Sequence, residues 1–182
     1  MLLLATLLAV SPLHAQADPA LVGQWRINTK LSDDTDDQVE KGLKASGEKV
    51  EHSWFDRRKD KYRGGPAEQE LYDRLSYDPV LTITRQDSSY QFEYADNFLT
   101  TIYTDNRNHS VSLNALDEAE DFQLGIWENG HFQVEMHPRD GGYVNATYSL
   151  VEGGKRLQAS FVIKPGSFMG EIKLKRIYDR QK

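Results

Sequence analysis

The stretch FQLGIWENGHFQVEMH, residues 122–137, decides the architecture. Its second half alternates strictly, with Phe132, Val134 and Met136 on one face and His131, Gln133, Glu135 and His137 on the other. An apolar set and a polar set at a period of two mark a strand with one face buried and one face wet. In the first half Phe122, Leu124 and Ile126 repeat the apolar spacing. Between the halves stands Asn129-Gly130, a pair that accepts the positive φ angles of a two-residue hairpin turn. The stretch therefore reads as a β-hairpin.

The same period runs outward in both directions. Upstream, Leu81 and Ile83 share a face, and Tyr90, Phe92 and Tyr94 share one against Gln91 and Glu93. Downstream come Val144, Ala146, Tyr148 and Leu150, then Leu157, Ala159, Phe161 and Ile163. The last run is Ile172, Leu174, Arg176 and Tyr178, set against Glu171, Lys173 and Lys175. Turn signals punctuate these runs at Asp87-Ser88, Asn106-Arg107-Asn108, Asp140-Gly141-Gly142, Glu152-Gly153-Gly154 and Pro165-Gly166-Ser167. Between Phe98 and Thr104 both faces are apolar, Phe98 with Ile102 and Leu99 with Tyr103, so alternation does not choose the inward one. With an opening strand over Leu21–Thr29, the chain reads as a mostly β protein. A meander this long, joined by short links, closes into an antiparallel up-and-down barrel of about 8–10 strands.

One block interrupts the meander, at about 32–79. Ser32 and the aspartates after it offer an N-cap and first-turn acids for a helix through residues 38–44. Leu71 and Leu75 mark a second helical piece over 67–75. The polar sequence between them carries the apolar pair Trp54-Phe55. The block reads as a helical insertion after the first strand, placed to act as a lid over the barrel mouth.

The start of the chain, MLLLATLLAVSPLHAQA, has the short apolar run and Ala-x-Ala ending of a secretory signal peptide over residues 1–17. Its apolar run is about half the ~20 residues of a membrane-spanning helix. Cleavage after Ala17 leaves 18–182 as a single domain with no stable membrane span. There is no cysteine. An exported protein without disulfides fits a periplasmic or secreted bacterial setting. The net charge of −6 and a sequence pI of about 5.4 argue against a nucleic-acid partner. The basic cluster Arg57–Arg63 reads as a solvated loop.

The motifs of chemistry are missing. Along an extended strand His131 and His137 lie about 20 Å apart, too far to share an ion. Asp33 to Asp37 lack the glycine and distal glutamate of a calcium loop and suit a helix start. Gly166 to Gly170 holds its serine one place early for a nucleophile elbow. No metal, cofactor or catalytic residue is expected, and an enzyme acting inside the barrel ranks last. What remains is the aromatic inward face. Tyr90, Phe92, Tyr94, Phe132, Tyr148 and Phe161 are read as the lining that takes a small apolar ligand, against the equal alternative of a filled core.

Arg176 falls on the apolar face of the last strand, where a guanidinium needs a partner. At the other end of the chain stands Gly23-Gln24-Trp25. Gly-x-Trp on the first strand with an arginine on the last resembles the lipocalins and the wider calycin group. More narrowly, Gly23 to Asn28, Leu31-Ser32-Asp33 and Ile177 to Arg180 are similar to small exported bacterial proteins of unassigned function. The resemblance implies that Gly23, Trp25 and Arg176 close the barrel, with the arginine covering the tryptophan. It also implies a carrier of a small apolar or amphipathic molecule. The alternative is a filled-barrel interaction module whose insertion contacts an unidentified envelope protein.

Overall fold

The computed structural model describes residues 19–47, 79–95, 99–105, 109–111, 121–137, 142–166 and 170–182. The strands are β1 (Gly23–Ile27), β2 (Val80–Gln86), β3 (Ser89–Tyr94), β4 (Leu99–Tyr103) and β5 (His109–Val111), followed by β6 (Asp121–Glu128), β7 (His131–His137), β8 (Gly142–Val151), β9 (Arg156–Pro165) and β10 (Ile172–Arg180). One helix, α1 (Thr35–Ala45), follows β1. The strands form one ten-stranded antiparallel sheet in the order β4-β3-β2-β1-β10-β9-β8-β7-β6-β5. First and last strands lie side by side, with Trp25 opposite Arg180 and Ile27 opposite Tyr178. At the remaining seam β4 meets β6 through side chains. The Thr100 hydroxyl donates to Gln123 Oε1 at 3.0 Å. The result is a nearly closed barrel, as the alternation predicts.

The hairpin at 121–137 is present, and Asn129 and Gly130 take φ angles of 51° and 79°. Its first strand faces the other way from the sequence expectation. Trp127 pairs with the buried Phe132, Gly125 with Val134 and Gln123 with Met136, so Gln123, Gly125 and Trp127 point inward. Ile126 is 46% exposed. The alternation of Phe122, Leu124 and Ile126 pointed to the opposite face, and the register with β7 overrides it, leaving one large apolar residue, Trp127, on the inward side. A glycine is needed inward because a Cβ on Gly125 would lie 2.6 Å from Phe132 Cζ and 2.7 Å from Ile102 Cγ2. In β4 the inward face is that of Thr100 and Ile102, and Leu99 is exposed.

After β1 the chain turns along β10 and stitches itself to that strand. Asn28 N–H donates to Ile177 O at 2.7 Å, and Asp33 N–H to Lys175 O at 2.9 Å. In return Ser32 Oγ accepts from Ile177 N–H at 2.9 Å, and Asp33 Oδ2 from Lys175 N–H at 2.7 Å. Two side chains thus complete a ladder that β1 is too short to finish. The expected cap moves accordingly: Asp34 caps α1, accepting from Asp37 N–H at 3.1 Å. Thr35, Val39 and Gly42, at i, i+4 and i+7, form the buried face of α1. A Cβ on Gly42 would stand 3.1 Å from both Glu171 O and Ile172 Cγ1, so the glycine lets the helix lie close on the start of β10.

The core has two parts. The larger, around Trp25, Phe92, Phe132 and Leu157, fills the end where β1 meets the close of β10. The smaller joins Val39 and, half-buried, Leu43 of α1 to Val144, Ile163 and Ile172. The signal peptide, the second helical piece, the basic cluster and Trp54-Phe55 lie outside the described residues. Among the described residues no helix is long and apolar enough to cross a membrane.

Candidate functional site: the barrel interior

All six aromatic residues assigned to the lining point inward, but they divide into two levels. At the lower level, toward Trp25, Tyr90, Phe92 and Phe132 are fully buried. Their rings pack on one another: Tyr90 lies 4.9 Å from Phe132, and Phe132 lies 5.3 Å from Trp127. Trp127 Nε1–H donates to the Tyr90 hydroxyl at 3.3 Å. Phe92 on β3 meets Tyr148 on β8 with ring centroids 5.0 Å apart. These two strands are five places apart in the ten-strand order, so the contact spans the lumen from wall to wall.

The Tyr148 and Tyr94 hydroxyls are hydrogen-bonded across the same gap. Burial pushes the Tyr148 phenol well above its ordinary value, and the nearby Tyr178 phenol adds to the rise while the bond to Tyr94 opposes it. Tyr148 therefore stays protonated across the physiological range and keeps its hydrogen to donate. Above this bridge, toward α1, the interior changes character. Tyr94, Met136 and Phe161 face inward yet are only half-buried. Phe161 presents its ring edge-on to Tyr148 at 6.1 Å.

The closure residues are placed differently from the expectation. Trp25 is fully buried, and its Nε1–H donates to Leu21 O at 3.1 Å. The guanidinium over its ring, 4.1 Å from the centroid, belongs to Arg180. Arg180 also donates from Nε to Gly154 O at 2.9 Å and from Nη1 to Val22 O at 3.2 Å. Gly23 has a φ of +148°, and a Cβ there would stand 2.9 Å from Arg180 Nη1, so glycine makes room for this guanidinium. Arg176 lies four residues earlier on β10, buried, and bonds Asp33 O at 2.5 Å and the Thr35 hydroxyl at the start of α1. The register of β1 on β10 decides between the two arginines, and alternation alone does not carry that register.

Sequence reasoning missed Trp127 and Arg180 as parts of the interior, and it left Met136, placed on the buried face, out of the ligand lining. Met136 belonged to the alternating set of β7, and its place above the aromatic layer was readable once the direction of β7 was known. On the outer wall His131 Nδ1 lies 2.7 Å from Ser149 Oγ, and His137 Nε2 lies 2.5 Å from Glu135 Oε1.

No family model matches the chain, and no curated protein matches it in sequence. Solved structures do. Lipid binding protein 8 of Caenorhabditis elegans matches over 91% of this chain and 98% of its own, with a TM-score of 0.54 at 14% identity. What these likenesses show is the fold, a nearly closed antiparallel up-and-down β-barrel. Secretory abundant heat soluble protein 4 of Ramazzottius varieornatus covers 91% of this chain and 97% of its own at a TM-score of 0.53 and 14% identity. A Schistosoma mansoni fatty acid binding protein, solved with arachidonic acid, covers 90% and 98% at a TM-score of 0.51 and 12% identity. All three cover the barrel nearly end to end, and in this chain a helix follows directly after the first strand.

Proposed function

We propose that the barrel holds a small apolar or amphipathic molecule between the Tyr94–Tyr148 bridge and helix α1. The observation that carries this is the exposed surface that Tyr94, Met136 and Phe161, all inward, retain above the bridge while Val134, Ala146, Val144 and Ile163 beside them are buried. Apolar surface left open inside a wall of strands, beside a protonated phenol, supplies burial for a ligand body and a hydrogen bond to orient it. The fold supports the same reading, since similar barrels include a lipid binding protein and one solved around arachidonic acid.

We also propose export to a bacterial periplasm or beyond, with cleavage after Ala17. The apolar run and Ala-x-Ala ending of residues 1–17 and the absence of cysteine support it. N-terminal sequencing of the protein from the cell envelope tests this, and a chain still beginning at Met1 contradicts it. Native mass spectrometry of the gently purified protein tests the carrier reading. A retained small molecule supports it.

The dry lower half favours a second reading, a filled barrel serving as an interaction module. A bare mass, no uptake of any apolar probe and a co-purified envelope protein would together favour that module over the carrier.

A further inference from the structure

The packed aromatic layer sets a limit on what fits. Below the Tyr94–Tyr148 bridge the lumen is crossed by Phe92 against Tyr148 and closed beneath by Phe132, Tyr90 and Trp127, with rings 4.9 to 6.4 Å apart. Ala159, a small inward residue opposite both Tyr148 and Arg176, is nonetheless fully buried, so its small side chain leaves no opening at that level. On the helix side the boundary is α1, held by the Arg176 bonds to Asp33 O and the Thr35 hydroxyl and by the close seat of Gly42 on β10. The half-buried surface between these limits belongs to Tyr94, Met136 and Phe161.

We infer that this site selects compact molecules, of the size of a fused ring pair or a medium acyl chain, and rejects long-chain lipids in extended form. The inference rests on the carrier reading and deepens it. The aromatic layer acts as a floor. A chain lying on it finds no further apolar surface once it fills the upper chamber, because opening the layer would separate rings already in contact.

The experiment is a displacement series. The purified protein is titrated with 1-anilinonaphthalene-8-sulfonate, and the bound probe is displaced by straight-chain fatty acids from six to eighteen carbons, each below its micellar concentration. Every methylene that gains burial tightens binding by roughly fourfold. The expected result is a fourfold-per-carbon gain that stops at about eight to ten carbons and stays flat or reverses to eighteen. A steady gain through eighteen carbons overturns the size limit while leaving the carrier reading intact. Absence of stoichiometric probe binding overturns both. Phe132→Ala, which removes a ring from the floor, is expected to move the plateau to longer chains. The wild-type series decides the matter even if that variant does not fold.

Discussion

Arg180, and not Arg176, is the arginine that seals the barrel over Trp25, and Arg180→Ala measures how much that seal contributes. Four contacts are lost together. The guanidinium lies 4.1 Å from the Trp25 ring centroid, a contact of about 0.5–2 kcal/mol depending on how dry the site is. Its bonds to Gly154 O, Val22 O and Ala20 O are charge-assisted, about 1.5–3 kcal/mol each when measured one at a time. These do not add, because one side chain makes them all and the freed carbonyls regain some water. A net loss of about 2–4 kcal/mol follows, which for a chain of this size lowers the midpoint of thermal unfolding by roughly 4–16 °C. Thermal and urea unfolding followed by circular dichroism read it directly. Arg180→Lys keeps the charge but loses the planar fork that reaches three carbonyls at once, so it should recover less than half of the loss. A loss below about 0.5 kcal/mol in both variants would refute the assignment of closure to Arg180.

Further tests bear on the seam, the clips and the interior. Gly125→Ala places a methyl 2.6 Å from Phe132 Cζ, and overpacking of this kind should cost about 1–3 kcal/mol in urea unfolding. The Asp179 carboxyl is held below its ordinary value by the Arg156 side chain first and by the Asn28 amide, so its stabilisation is present above about pH 4 and lost as the pH falls below that. Asp179→Asn should therefore flatten the acid limb of a stability–pH curve and lower the plateau at neutral pH. Burial raises the Tyr148 phenol, so its contribution is full below about pH 10 and lost as the pH climbs beyond it. Tyr148→Phe should make alkaline unfolding begin at higher pH, and phenolate absorbance should show the Tyr148 contribution only as the fold is lost.

Much of the barrel was legible because a one-faced sheet writes its period into the chain. The hairpin at 122–137, the meander after Val80 and the pairing of both chain ends all followed from alternation and turn chemistry. Two kinds of information were not there. The first is face where the apolar period points the wrong way: β6 offered Phe122, Leu124 and Ile126, yet the inward set is Gln123, Gly125 and Trp127. The inward glycine is legible only once Phe132 and Ile102 are known to need its space. The second is register between distant strands. The sequence reading named Arg176 as the partner of Trp25, and the pairing of β1 on β10 brings Arg180, four residues later, to it instead. The same ignorance of register hid the role of Ser32 and Asp33, whose side chains serve the edge of β10 instead of capping α1. The six aromatic residues of the proposed lining all face inward, but their division at the Tyr94–Tyr148 bridge depends on contacts across the lumen, which no local pattern contains.

The chain has three methionines, so the methyl spectrum of protein labelled at methionine is nearly free of overlap, and the half-buried Met136 packs on the core beside α1, at the proposed site. Titration with 1-anilinonaphthalene-8-sulfonate should shift the Met136 methyl resonance progressively and saturate at one probe per barrel. Probe fluorescence that rises while the Met136 methyl stays unmoved would place binding on the outer surface and contradict the interior site.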